Sequence, residues 1–345
     1  MRTARALWLA VIVAGVVLVV FPIATGMFSK TTGVEKLTGD FRASFDNSAV
    51  TQTRADMNEV LAMSQQLQTE TLPALPDALG MSPDDFNSFM ATNYPDVADG
   101  LPQLDPILAR FDGLVSGVEA QAPNFREADK IPTSSLSSKV VPWLFLIPGL
   151  ILVGVGLIGI ARLARSGARR QVALLAVVAV IGVGLAGGAV GLSVYSKGQA
   201  VDEMTKAFAP VFSDEGVAQM EADMAVIQKM TTQLESETLP GLALALSMSP
   251  DEFGAFMTES FPAVAAGLGN LDATLVKFDA FIAGIGANID SFEQAADLPT
   301  AGMPATSLFY WLLVPGLALL LLSGGQLLAT RQRVVGLSAP QVANA

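Results

Sequence analysis

The two side chains that carry most nucleophilic and metal chemistry are missing from this sequence: it has no histidine and no cysteine. Ser-His and Cys-His nucleophile pairs are therefore excluded, and so are the usual nitrogen- and sulfur-liganded zinc sites. Ser29-Lys30 and Ser196-Lys197 are the nearest thing to a Ser/Lys pair. Each follows directly on an apolar block, where a lysine is expected to snorkel, its stem along the apolar surface and its ammonium in water. Three carboxylate positions occur twice at one spacing: Glu70 and Glu237, Asp105 and Asp272, Asp112 and Asp279. Two carboxylates can divide acid and base roles between them. Nothing in this spacing marks such a pair, and a solvated acidic surface is the expectation, with binding of calcium or another cation as the lesser reading. The calcium-loop pattern of alternating Asp/Asn with Gly is absent. No catalytic residue, metal or cofactor is expected, and the chain does not read as an enzyme.

One apolar set could bind a ligand. Phe86, Phe89 and Met90 recur as Phe253, Phe256 and Met257, with Tyr94 recurring as Phe261. Such residues at helical spacing fill a bundle core in the simplest reading. Met and Phe also adapt in shape, so part of the set could line a groove for an acyl chain or another apolar ligand.

The elements that would hold these residues follow from the hydropathy pattern. Of the 345 residues 51% are hydrophobic, and they collect in four uncharged blocks at Ala6–Phe28, Val140–Ala161, Val172–Tyr195 and Leu308–Thr330. Each is long enough for a helix to cross a hydrocarbon core of about 30 Å. The first is too long for the apolar core of a signal peptide and has no A-x-A site after it, so it reads as a span. No Asp, Glu, Lys or Arg falls inside a block, which argues against ion-coupled transport. Gly184-x-x-x-Gly188 and Gly187-x-x-x-Gly191 put small residues on one helix face, a helix-packing signal between the halves of the chain or toward another membrane protein. Pro148-Gly149 and Pro315-Gly316 are candidate kinks.

Charge sorts the segments between the blocks. All 32 acidic residues lie in two loops, 16 in each; the first loop has 8 basic residues and a net charge of −8, the second 4 and −12. The other eight basic residues are all Arg, at positions 2, 5, 162, 165, 169, 170, 331 and 333. The positive-inside rule then expects both termini and the 162–170 turn in the cytoplasm and both acidic loops outside it. Spans rich in Ala, Gly and Val, flanked on the expected inner side by Arg with no Lys, point to a GC-rich bacterial genome, an actinobacterium being the best fit.

An ungapped shift of 167 residues superimposes the halves. Glu70-Thr71-Leu72-Pro73 meets Glu237-Thr238-Leu239-Pro240, Met81-Ser82-Pro83-Asp84 meets Met248-Ser249-Pro250-Asp251, and Pro148-Gly149-Leu150 meets Pro315-Gly316-Leu317. Each half holds two spans, so the copies share one orientation about an axis along the membrane normal. Within the loops, Val34, Leu37, Phe41 and Phe45 follow helical spacing and extend the first span outward. Met57, Val60, Leu61 and Leu67 mark a second helix, and Leu104, Ile107, Leu108, Phe111, Leu114, Val115 and Val118 a third apolar stripe. Ser82 and Ser249 are N-caps, Ser249 within a capping box.

The expected fold is an all-α membrane protein, four transmembrane helices in two parallel tandem repeats, each with an extracytoplasmic helical-bundle domain. The expected segments are span 6–28, domain 29–139, span 140–161, cytoplasmic turn 162–170, span 171–195, domain 196–306, span 307–330 and cytoplasmic tail 331–345. The expected function is a non-enzymatic protein of the bacterial cell envelope, its paired outer domains a partner-binding scaffold or accessory subunit of a membrane complex. The alternative is a lipid or hydrophobic-ligand carrier with an apolar groove between the bundles. Partners are then the lipid bilayer, a membrane or envelope protein and a lipid, with no role for nucleic acid.

Overall fold

A computed structural model describes the backbone of residues 2–162 and 168–336 and the side chains of 5–162 and 171–326. Most of the turn at 162–170 and the end of the tail at 331–345 lie outside those residues, as do all of the flanking Arg side chains except Arg5 and Arg162. The described chain is helical, with no strand beyond one isolated bridge, Thr133 to Leu136. The first half holds α1 (Arg2–Ala24), α2 (Met27–Phe41), α3 (Asn47–Gln66), α4 (Leu72–Leu79), α5 (Pro83–Asn93), α6 (Pro95–Ala128) and α7 (Val141–Arg162). The second holds α8 (Ala168–Gly191), α9 (Val194–Phe208), α10 (Asp214–Gln233), α11 (Leu239–Ala245), α12 (Pro250–Ser260), α13 (Pro262–Gly286), α14 (Ile289–Ala296) and α15 (Ser307–Gly336). Two compact units form, one of Met1–Gly39, Asn124–Lys206 and Asp290–Ala345, the other of Asp40–Pro123 and Ala207–Ile289.

The first unit contains four helices long and apolar enough to cross a membrane, over Arg5–Ala24, Ser138–Arg162, Gln171–Gly191 and Ser307–Gln326. They pair as α1 with α7 and α8 with α15. Close approach requires glycine at both contacts. A Cβ on Gly15 would stand 2.8 Å from the Gly149 carbonyl oxygen, and one on Gly182 2.9 Å from that of Gly316. Both α7 and α15 run on through Pro148 and Pro315, and the glycine after each proline is the contact point. Trp8, 2% exposed, lies against Gly159. By contrast, a Cβ on Gly184, Gly187, Gly188 or Gly191 would meet nothing within 4 Å. Packing among the described residues therefore does not use the two Gly-x-x-x-Gly motifs. The reason is rotational: Leu185 and Ala189 turn inward on α8, which leaves those glycines mostly on the outside.

Two expectations at the loop ends of the spans are corrected. The helix beyond the first span is not its continuation: Gly26 (φ 64°) and, 167 positions on, Ser193 (φ 53°) take the left-handed conformation, which ends α1 and α8 and starts α2 and α9. The two lysines do not snorkel into solvent. Lys30 Nζ donates to the carbonyls of Asp297 (2.9 Å) and Pro299 (3.3 Å). Lys197 Nζ donates to those of Lys130 (3.0 Å) and Pro132 (2.7 Å). Each ammonium thus ties down the linker that leads into a span of the other half of the sequence. Carboxylates then start those spans. Glu35 accepts from the Ser137 hydroxyl and from the Ser138 backbone N–H and hydroxyl, each at 2.9 Å. Asp202 accepts from the Ala305 and Thr306 N–H groups, at 2.6 and 3.2 Å. Acids at helix N-termini satisfy free N–H donors and oppose the dipole. Burial raises the Glu35 pKa, but the Ser137 and Ser138 hydrogen bonds and the Lys139 charge outweigh it and hold the carboxyl below its ordinary value.

The second unit corrects the expectation of two separate bundles. Its core is shared by both loops. Helix α3 packs on α13, and Phe111 meets Phe278 edge-on with centroids 5.4 Å apart. Met63 lies over Gly267, and Met230 over Gly100. Gln66 accepts from the N–H groups of Ala263 (2.8 Å) and Val264 (3.2 Å) at the start of α13. Gln233 accepts from Val97 N–H (3.1 Å) at the start of α6. The sequence expectation erred because a stripe repeated in both loops matches either loop equally well. The capping expectation agrees with the structure: Ser82 Oγ accepts from Asp85 N–H, and Ser249 with Glu252 forms a capping box.

Gly316→Ala should lower the stability of the purified chain by about 1–3 kcal/mol, because a Cβ there would sit 2.6 Å from the Ala186 nitrogen. Gly184→Ala should change it by less than about 0.5 kcal/mol. Thermal unfolding of both variants in one detergent checks the contrast.

Candidate functional site

The site candidates lie in the second unit. Its buried charges are arranged first. Asp56 Oδ2 accepts from Lys277 Nζ at 2.6 Å and Oδ1 from Gln52 at 2.7 Å. Asp223 takes both donors of the Arg110 fork at 2.6 Å and the Gln219 amide at 2.8 Å. The side chains of Asp56 and Asp223 are 11% and 5% exposed, while Lys277 and Arg110 are about half exposed. Both pairs join one loop to the other. Burial raises the Asp56 pKa, but hydrogen bonds from Lys277 and Gln52 and the Lys277 charge more than reverse it, so the carboxyl is held below its ordinary value.

Beside the Asp56–Lys277 pair runs an open groove of about 390 Å³. Its floor is apolar, made by Leu114, Val115, Val118, Phe278 and Phe281, and its rim carries Ala43, Ser44, Thr53 and Ala280. That volume is within the range of small-ligand sites, about 300–1,000 Å³. Sequence reading missed this groove. The available signal was a difference between the halves: Thr53 faces it where the residue 167 positions on is Met220, and Ser44 where that residue is Val211.

The Phe/Met set divides. Phe86, Met90, Phe253 and Met257 are buried, and Phe89 and Phe256 are half-buried. Met90, Phe253, Phe256 and Met257 line an apolar cavity of about 60 Å³ closed by residues of both loops; Phe86 and Phe89 are not on it. Phe89 instead packs edge-on against Tyr94 at 5.7 Å.

The repeated carboxylates also find places. Glu70 and Glu237 accept from the side-chain amides of Gln66 and Gln233, at 2.8 and 3.1 Å, and so orient the two glutamines that cap α13 and α6. They sit in single π-helical segments, Leu67–Thr71 and Leu234–Thr238. Asp112 binds Arg54 at 2.6 Å, beside Glu119 at 3.1 Å. Asp105 accepts from Gln68 Nε2 at 2.7 Å, and the same amide reaches Ser64 Oγ at 3.1 Å. At the positions 167 further on stand Thr231, Glu235 and Asp272. A carboxylate has no proton to donate to Asp272. Burial and the Asp272 charge accordingly raise the Glu235 pKa, and the buried Thr231 hydroxyl has no hydrogen-bond partner among the described residues. Among the described residues no group of three His, Cys, Asp or Glu is placed to hold a metal ion.

In comparisons with known proteins, no family model, no curated protein and no solved structure matches the chain.

Two predictions follow from these pairs. Asp56 has a depressed folded pKa, so its stabilisation is complete above its unfolded value of about 3.9 and is lost as pH falls through the folded one. Lys277→Met should cost about 1–2 kcal/mol at pH 7 by leaving a buried carboxylate with one donor, and the deficit should shrink in acid; denaturation at several pH values measures it. Glu235 has the opposite sign, its ionisation opposing the fold above its raised pKa. Glu235→Gln, which restores an amide to the Asp272 carboxylate, should add roughly a few tenths of a kcal/mol at pH 7 and nothing in acid.

Proposed function

We propose that this chain is a non-enzymatic integral membrane protein of a bacterial cell envelope, built by tandem duplication, whose second unit is an extracytoplasmic module that binds a partner protein. The groove of about 390 Å³ carries this reading, because it opens an apolar floor on an otherwise strongly acidic surface. The second unit has 24 acidic and five basic residues, net −19. Such a field attracts basic partners and repels anionic lipid surfaces. The orientation rests on the Arg residues that flank the spans on one side and the acidic loops on the other. At the loop ends Phe28 meets Trp143 and Tyr195 meets Phe309 edge-on, an arrangement that suits an interfacial aromatic belt. The duplication rests on the 167-residue shift, and on the recurrence of the lysine ties, carboxylate caps and ion pairs at that same offset. In this role the protein acts as a scaffold or accessory subunit of a membrane complex.

Purification in mild detergent after crosslinking in cells should recover the chain with a stoichiometric protein partner; a lone monomer would count against the reading. The chain has no native cysteine, so single cysteines report orientation without background. An impermeant maleimide applied to spheroplasts should label Ser88→Cys and leave Ser166→Cys unlabelled. The reverse pattern would invert the topology.

A second reading, hydrophobic-ligand binding, rests on the adaptable walls of Met90, Phe253, Phe256 and Met257, because the cavity they line, about 60 Å³, would have to expand to take an acyl chain. Native mass spectrometry should then find one lipid retained per chain, lost in Phe256→Trp. A lipid-free chain would leave these residues as core alone.

A further inference from the structure

The lining of the groove beside Asp56 and Lys277 differs in size between the two halves of the sequence. Five of its positions, Ala43, Ser44, Thr53, Val115 and Val118, become Pro210, Val211, Met220, Ile282 and Ile285 at the 167-residue shift. All five are larger, and Met220 is half-buried there. Leu114 and Phe281 simply exchange places, and two positions, Ala49 and Ala280, lose one methyl, becoming Gly216 and Gly113. On balance the related position carries more side-chain volume than the first.

The chemistry of the opening selects its occupant. The floor is hydrocarbon and takes apolar side chains. Ser44 and Thr53 put hydroxyls on the rim. A backbone amide can use them; an acyl chain cannot. The net charge of −19 disfavours an anionic headgroup and favours Lys and Arg. Beside the groove the buried Asp56 carboxylate is held by Lys277 and Gln52.

We infer that this groove receives an apolar segment of a partner protein flanked by Lys or Arg, one segment per chain. The inference rests on the partner-binding reading and names its site and its ligand chemistry. Apolar anchors sit over Phe278 and Phe281, the segment's amides meet Ser44 and Thr53, and its basic flanks face the acidic unit. Salt weakens the flanks and leaves the anchor contacts unchanged.

The test uses the full chain in cells, with photoreactive p-benzoylphenylalanine placed at Ala280 on the rim or at Gly113, its counterpart 167 positions earlier; both residues are exposed. Irradiation should give a protein adduct from position 280 in clear excess over position 113. Mass spectrometry should map the adduct to an apolar segment bearing Lys or Arg at its ends. Thr53→Met, which copies the larger residue of the other half, should cut the adduct roughly tenfold, the factor that 1.4 kcal/mol produces. Thr53→Leu should do likewise, and unchanged thermal unfolding of either variant shows that the fold is intact. Met220→Thr should bring up an adduct at 113. The inference is overturned by an adduct of lipid mass, equal yields from 280 and 113, indifference to both Thr53 variants, a mapped segment without basic residues, or no adduct. If a partner still co-purifies with the Thr53→Met chain while no adduct forms at 280, the groove assignment fails and the partner-binding reading stands. If nothing co-purifies with the unaltered chain, both fail.

Discussion

A carboxylate cannot be left alone in an apolar interior, and that constraint governs the second unit. Asp56 and Asp223 are both buried, and the cations that neutralise them, Lys277 and Arg110, come from the opposite loop. Neither loop can therefore reach its folded state on its own without stranding a charge. The same dependence appears in neutral form at Gln66 and Gln233, which cap helices of the other loop. Packing agrees with the polar contacts: α3 has its main partner in α13, and the Phe111 ring meets Phe278 of the other loop. Burial of these apolar faces, at about 25 cal/mol per Å², supplies the stability, and the ion pairs and glutamine caps specify which faces meet.

The first unit repeats this logic with different groups. Lys30 and Lys197 each hold the linker that precedes a span of the other half, while Glu35 and Asp202 each start a span of their own half. Inside the span pairs no polar group is needed. Backbone approach at Gly15–Gly149 and Gly182–Gly316 lets van der Waals contact do the work that burial does elsewhere. In a bilayer, hydrocarbon would be as good a solvent for Leu as another helix is, so close fit at small residues would decide which faces pair.

Regularities at the 167-residue offset thus account for what holds the protein together, and departures from the offset mark what differs between its halves. Gln68 bridges Ser64 and Asp105, but Glu235 cannot bridge Thr231 and Asp272. Thr53 leaves a groove where Met220 adds bulk. The motif Glu-Thr-Leu-Pro, the most regular stretch of the two loops, has a structural explanation. Its Glu orients a capping Gln, its Thr hydroxyl closes the π-helical segment onto that Gln carbonyl, and its Pro starts the next helix.

By itself the sequence determined the four helices long and apolar enough to cross a membrane, the helical loops and the Ser82 and Ser249 caps, because each depends on local signals: uncharged length, 3.6-residue periodicity, and a hydroxyl three residues before a free N–H. It could not determine which helix meets which. A stripe present twice fits either copy, so the interleaving of the loops was decided only by long-range contacts such as Asp56 with Lys277. Nor could it pick the glycines that pack: Gly15 and Gly182 turn inward and Gly184 and Gly188 do not, a matter of helix rotation that composition leaves open. The groove was the least legible feature. It is an absence of side-chain volume among residues far apart in the chain, from Ala43 to Phe281, and only folding brings its walls together.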